Sequence, residues 1–112
     1  MTPEAFEAAA LALPAATKVV QWGNSEVFKV GGKIFAVRGL GGAISIKVSD
    51  IAYAALTETG AARPAPYLAR AKWVWFPELA ALDAAEVRDW LRTAHGLIAG
   101  KLTRKVRAEI GL

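Results

Sequence analysis

The chain has 112 residues, with 14 lysines and arginines against 10 aspartates and glutamates and a formal net charge of +4. This length predicts a single domain over residues 1–112 that buries about 65% of its unfolded surface. The absence of cysteine excludes disulfides, a thiolate nucleophile and a zinc–thiolate site. No basic segment followed by an apolar one opens the chain, and no apolar run is long enough to span a bilayer, so we expect a cytoplasmic protein.

The first half of the chain predicts one helix followed by four strands. Thr2 can cap the helix, Pro3 suits its first position, and Pro14 ends it. Strands are predicted at about 19–22, 26–30, 33–38 and 43–48. The Gly31–Gly32 pair predicts a two-residue hairpin turn, because such a turn needs the positive φ that glycine adopts freely.

The second half predicts a short helix, a loop, a strand and a final helix. Ser49 can cap a helix to about residue 58, and the proline-containing stretch 60–71 predicts a loop. A fifth strand covers 72–76, and Asp83 with Glu86 gives the capping pattern of a helix start. The apolar stripe of that helix consists of Val87, Leu91, Ala94, Ile98 and Leu102. The order α-β-β-β-β-α-β-α predicts an α+β fold, an antiparallel sheet with helices packed on one face.

The hairpin turn also predicts which side chains face the core. A two-residue turn pairs Val30 with Lys33, Phe28 with Phe35 and Glu26 with Val37. Because opposed residues share a face, the predicted core residues are Phe28, Val30, Phe35 and Val37. The open face then carries Val27, Lys29, Ile34, Ala36, Arg38, Ser45 and Lys47. Trp73 and Trp75 share one face of the fifth strand; we place them on the open face, and burial of both is the alternative.

Several segments, in the same order, resemble the MmcQ/YjbR family over nearly the whole chain. They are Leu13-Pro14, Trp22-Gly23, the run from Phe28 to Ala36, Ile46-Lys47, the loop 63–67, the strand 72–74 and the closing run 101–105. The resemblance implies a fold similar to the bacterial frataxin (CyaY-like) fold and DNA binding through a "double wing" of β-hairpins. Ala15 and His95 depart from the family pattern, which usually has glycine and an aromatic residue there.

On this resemblance, the turns at Gly31–Gly32 and 39–42 would be the wings. The predicted phosphate contacts are Lys29, Lys33, Arg38 and Lys47, which would fix position without reading sequence. Trp73 and Trp75 would stack on bases, at about 1–3 kcal/mol per base. In the alternative, the hairpin lysines solvate an exposed face and prevent aggregation at a sheet edge.

The closing cations Lys101, Arg104, Lys105 and Arg107 form the densest basic cluster. They could clamp phosphates, or they could be favoured simply by the dipole at a helix C-terminus. Membrane binding is disfavoured, because the apolar face of this segment is needed for the core.

Other sites are weakly supported by the sequence. His95 beside Leu91 and Ile98 predicts a packing residue, and Glu4 with Glu7 are too few carboxylates for a metal site, so we predict no cofactor. The loop with Arg63, Tyr67 and Arg70 could bind a small anion, or could be a rigid connection that packs Tyr67 on the core.

Two functions of different classes therefore remain. The first is a non-enzymatic DNA-binding protein that uses the basic hairpins and the open face. The second is a protein-interaction or structural domain that uses the same face and no nucleic acid.

Overall fold

A computed structural model describes residues 1–66 and 68–112. Within these residues the chain forms four α-helices and six strands. The helices are α1 (Pro3–Leu11), α2 (Asp50–Glu58), α3 (Ala84–Ala99) and α4 (Arg104–Glu109). The strands are β1 (Ala16–Gln21), β2 (Ser25–Val30), β3 (Lys33–Arg38), β4 (Ile44–Lys47), β5 (Arg63–Pro64) and β6 (Trp73–Phe76). All neighbouring strands are antiparallel, in the order β1-β2-β3-β4-β6-β5, which confirms the α+β class.

The helix starts follow the predicted capping residues. Thr2, Ser49 and Asp83 each accept a hydrogen bond from the backbone amide three residues later, at 3.0–3.1 Å. Two elements were not predicted, the two-residue β5 inside the expected loop and the separate helix α4. The last predicted helix stops at Ala99, so Leu102 lies in the connection between α3 and α4.

The core lies between the sheet and the helices. Phe6 of α1 packs edge-to-face on Phe28 of β2, with ring centroids 5.6 Å apart, and Trp90 of α3 stacks on Phe76 of β6. From α2, Tyr53 and Leu56 pack against the same core. Its buried strand residues are Phe28, Val30, Phe35, Ala36, Ile44, Ile46, Val74 and Phe76. These contacts place the helices against the inner face of the sheet.

A bulge in β3 overturns part of the predicted face assignment. Val30 pairs with Lys33 as predicted, but Phe28 pairs with Ala36 and Glu26 with Arg38, because Phe35 has no partner on β2. Phe35 and Ala36 are both fully buried in the core. The single extra residue reverses the alternation beyond it. Contrary to the prediction, Ala36 is therefore a core residue and Val37 lies on the side of the sheet away from the core. Arg38 lies on the same face as Glu26.

The other side of the sheet, which we call the outer face, carries one continuous row of opposed residues. The row consists of Val19, Val27, Val37, Ser45, Trp75 and Arg63, one from each strand. Lys47 lies opposite Trp73 in the neighbouring row, and Lys29 lies opposite Ile34. Both tryptophans of β6 thus lie on the outer face, as predicted.

Candidate nucleic-acid interface

The two glycine turns predicted as wings lie at opposite ends of β3. Gly32 immediately precedes this strand, and Gly39 immediately follows it. Since β3 is an inner strand between β2 and β4, neither turn is part of a separate projecting hairpin. The structure therefore places the two turns on two different surfaces.

The Gly31–Gly32 turn is packed against the C-terminal segment. Gly31 has φ +58°, and a Cβ at this position would lie 2.6 and 2.9 Å from the methyl groups of Leu102 and 3.2 Å from a methyl group of Val106. Glycine is required here both for its backbone conformation and for this close approach. The contact brings the residues that flank Leu102, including Lys101 and Arg104, beside the hairpin turn.

A group of cations consequently collects at this end of the sheet, which we call the basic end. Its members are Lys29, Lys33, Lys47, Lys72, Lys101, Arg104 and Lys105. Lys33, Lys101, Arg104 and Lys105 are exposed, and Lys29 is half-buried on the outer face. Among the described residues, ion pairs within 4 Å involve Lys18, Arg38 and Arg92, none of which belongs to this group. In the described residues, therefore, no cation of the basic end has a carboxylate within ion-pair distance.

Lys47 is the buried member of the basic end. Only 7% of it is exposed, and its ammonium donates a hydrogen bond to the carbonyl oxygen of Ala71. Burial lowers the pKa of Lys47, and repulsion from Lys101 and Lys72 lowers it further, against the attraction of Asp50. The sequence placed Lys47 on the outer face correctly, but the structure shows that its ammonium is held by the backbone rather than presented to solvent.

Lys72 belongs to the basic end although the sequence did not single it out. Its backbone has φ +61°, and its carbonyl oxygen accepts a hydrogen bond from Val48 at 2.9 Å. Its ammonium lies 4.9 Å from the centre of the Tyr53 ring, a cation–π contact. The pair Arg70 and Lys72 just before β6 was a signal in the sequence that could have indicated this cluster.

The two tryptophans of β6 differ in exposure. Trp73 is 4% exposed, which corrects the expectation that it offers a stacking surface; it is buried in the row beside Lys47. Trp75 is half-buried, and the Arg63 guanidinium lies 5.9 Å from its ring centre. Of this pair, Trp75 with its bound Arg63 is the side chain that could meet a base.

Arg38 lies away from the basic end. Its guanidinium forms an ion pair with Glu26, the same carboxylate that Lys18 approaches at 3.7 Å, and Lys18 also pairs with Glu7 of α1. The bulge at Phe35 explains this placement, because it turns Arg38 toward the face of Glu26. The charge of Arg38 is therefore largely neutralised by a near neighbour.

His95 is a packing residue in the structure. It is buried, its ring meets Phe35 edge-to-face with centroids 5.4 Å apart, and Nε2 lies 2.7 Å from the carbonyl oxygen of Pro14. In the described part of the chain, no three His, Cys, Asp or Glu residues are grouped to hold a metal ion. Of the loop residues considered for anion binding, Arg63 and Arg70 are exposed and Tyr67 lies outside the described residues.

The opposite end of the sheet has a different chemistry. Leu40, in the turn between β3 and β4, is 69% exposed. Beside this turn is a mostly apolar cleft of about 370 Å³, lined by residues 1–3, Gly41, Gly42 and 78–80. The α-amino group of Met1 donates hydrogen bonds to the carbonyl oxygens of Leu79 and Leu82, at 3.2 and 3.0 Å. This end offers apolar surface rather than unneutralised cations.

A family model described as YjbR matches residues 11–97. The chain belongs to the YjbR family. YjbR is not a known enzyme family. The matched range contains β1 to β6 and most of α3, so the family assignment covers the sheet but not the cations that follow α3.

A solved structure has a similar fold. The crystal structure of the Deinococcus radiodurans protein DR2400, with the domain DUF419, is similar to this chain with a TM-score of 0.84. The two chains are 22% identical, and the match covers 99% of this chain and 88% of DR2400. At this identity the similarity shows a common fold. No curated protein sequence matches the chain, and none of the helices in residues 1–66 and 68–112 is long and apolar enough to cross a membrane.

Proposed function

We propose that this YjbR protein is a small, cytoplasmic, non-enzymatic DNA-binding protein whose basic end contacts backbone phosphates. The observation that carries the proposal is the packing of Leu102 on Gly31, which joins Lys29 and Lys33 of the hairpin to Lys101, Arg104 and Lys105. Within the described residues these cations have no carboxylate within ion-pair distance. Such a group attracts a polyanion, and phosphate contacts supply most of the affinity of non-specific DNA binding.

The members of the basic end have different roles in this proposal. Lys33 at the turn and Lys105 in α4 are exposed and would contact phosphates directly. Lys47 is fixed by the Ala71 carbonyl and contributes its charge to the local field. Trp75, with Arg63 over its ring, would stack on an unpaired base that reaches the outer face, so single strands gain a contact that duplexes lack.

Fluorescence anisotropy with single- and double-stranded oligonucleotides at several salt concentrations tests the proposal. Each phosphate neutralised releases counterions, so the logarithm of the affinity should fall with the logarithm of the salt concentration by about 0.7–0.9 per contact. Replacing two exposed cations, Lys33→Glu with Lys105→Glu, should weaken binding by roughly tenfold or more and reduce the slope by about 2.

The matched control is Arg88→Glu with Arg92→Glu on α3. Both arginines are exposed, and the change in net charge is identical. If binding depends on the basic end, the control should retain its affinity within roughly threefold. Absence of binding at low salt would contradict the proposed function, and equal losses in both variants would contradict the assignment to the basic end.

A second function, docking of a protein on the outer face, is favoured by the apolar residues Val19, Val37 and Trp75 in the row across the sheet. Because apolar contacts involve little counterion release, such binding should change little with salt. The same titration series therefore separates the two functions.

A further inference from the structure

The two edges of the sheet are built differently. The β5 edge has two residues, one of them Pro64, whose missing N–H cannot support further strand pairing. The β1 edge is six residues long, contains no proline and keeps a continuous register with β2. Long regular edges are templates for pairing, and proteins usually blunt them with proline, bulges or charge. Neither proline nor a bulge interrupts β1.

The charge on β1 is also neutralised. Lys18 is the charged residue of this strand, and its ammonium is bound by Glu7 and lies 3.7 Å from Glu26. Lysine on an edge strand opposes pairing when its charge projects freely beyond the edge. Because these carboxylates of the same chain hold the Lys18 ammonium, its charge does not block another strand from pairing with the edge.

Apolar side chains are exposed on both sides of this edge. Val19 begins the row on the outer face and is 42% exposed, and Val20, on the helix side, is 57% exposed. The row continues inward as Val27 and Val37. A strand added beside β1 would therefore bury valine on both faces while it satisfies the outward backbone groups.

We propose that β1 pairs with β1 of a second copy of this chain, antiparallel about a two-fold axis normal to the sheet. Such an axis places a residue opposite its own counterpart and keeps the outer faces of both sheets on the same side. An axis through Lys18 would place the two Lys18 side chains opposite each other, and an axis through Val20 would leave fewer residues of β1 paired. Centring on Val19 opposes Val19 to the partner subunit's Val19.

This register places no two like charges opposite each other. Thr17 lies opposite the partner subunit's Gln21, and Lys18 lies opposite the partner subunit's Val20, so no two like charges face each other. On the outer face the two valine rows join into one. A single strand pair buries less than the roughly 1,200 Å² of standard interfaces, so we expect reversible association at roughly 0.1 mM and above.

Disulfide trapping tests both the pairing and the register. The chain has no cysteine, so Val19→Cys introduces a single thiol. Opposed Cβ atoms in an antiparallel pair lie about 4.5–5.5 Å apart, close enough for a disulfide after a small adjustment. On mild oxidation, Val19→Cys should form covalent dimers at least about tenfold faster than either of two controls, Val20→Cys and Ile51→Cys. In the proposed dimer Val20 lies diagonally across the axis from its counterpart, and Ile51 is exposed on α2, away from the paired strands.

Sedimentation equilibrium provides the second measurement. The apparent mass of the wild type should rise from 11.9 kDa toward twice that value with increasing concentration. Val19→Lys should remain at 11.9 kDa, whereas Ile51→Lys, with the same change in charge, should behave like the wild type. A wild type that stays monomeric throughout, or equal oxidation rates for the three cysteine variants, would overturn the proposal.

Discussion

The two glycine turns at the ends of β3 are similar in sequence but differ in their surroundings. Gly31 lies under Leu102 and Val106, so its turn is part of the packed structure. The other turn exposes Leu40, and Gly41 and Gly42 have open space where a Cβ would be. The comparison shows that a glycine turn gains its role from distant chain segments, here residues about 70 positions further along.

The two ends also differ in how their charges are balanced. Glu26 neutralises Arg38 near the end of β3, whereas Lys33 at its start has no carboxylate within ion-pair distance in the described residues. Both cations belong to one hairpin and were equal candidates for phosphate contact. The structure distinguishes them, because the bulge at Phe35 determines which face Arg38 joins.

The largest expected difference between the two ends is in stability. Leu102→Ala removes a side chain that is 7% exposed and packs on Gly31, and it should lower the free energy of unfolding by about 2–3 kcal/mol. Leu40→Ala, at the exposed turn, should change it by less than about 0.5 kcal/mol. Urea denaturation measures both, and equal losses would show that the two turns are equally packed.

A smaller difference is expected within the packed turn itself. Gly31→Ala must tolerate a positive φ and also displace the Leu102 methyl groups, so we expect a loss of about 2 kcal/mol. Gly32→Ala has φ +79° but no atom within 4 Å of its Cβ, and should lose about 1 kcal/mol. Thermal or urea unfolding measures the stability of both variants. Equal losses in the free energy of unfolding would contradict the contact between Leu102 and Gly31.

The smallest expected effect concerns the electrostatics of the basic end. Because Lys101 repels Lys47, Lys101→Met should raise the pKa of Lys47 toward its ordinary value of 10.5. Lys18→Met, where the ammonium is bound by Glu7, is the matched control and should leave the pKa of Lys47 unchanged. NMR titration of the Lys47 side chain measures both, and an unchanged pKa in Lys101→Met would disprove the coupling.

The lowered pKa of Lys47 also has a consequence for stability. Between the lowered pKa of the folded state and 10.5, the unfolded chain binds more protons than the folded one. The free energy of unfolding attributable to Lys47 should therefore rise with pH across this window. In Lys101→Met the folded-state pKa of Lys47 lies closer to 10.5, so this pH range is narrower. The increase in the free energy of unfolding, measured by urea denaturation at successive pH values, should therefore be smaller.

Local chemistry made much of the fold predictable. The caps Thr2, Ser49 and Asp83 act on amides three residues away, and the Gly31–Gly32 turn satisfies its own backbone requirement. Of the site residues, Lys29 and Lys33 follow from this hairpin, and Lys101, Arg104 and Lys105 from their density in the sequence. Their assembly into one group required the contact between Leu102 and Gly31, which no local pattern reveals.

The sequence by itself determined the starts of α1, α2 and α3, the hairpin and the α+β class, because capping, turn geometry and apolar periodicity act between near neighbours. The tertiary structure alone decided that Phe35 bulges, that Arg38 pairs with Glu26, that Trp73 is buried and that β1 remains a long open edge. These outcomes depend on how distant segments fill space and satisfy charge around one core, and the pattern of any single segment does not contain that information.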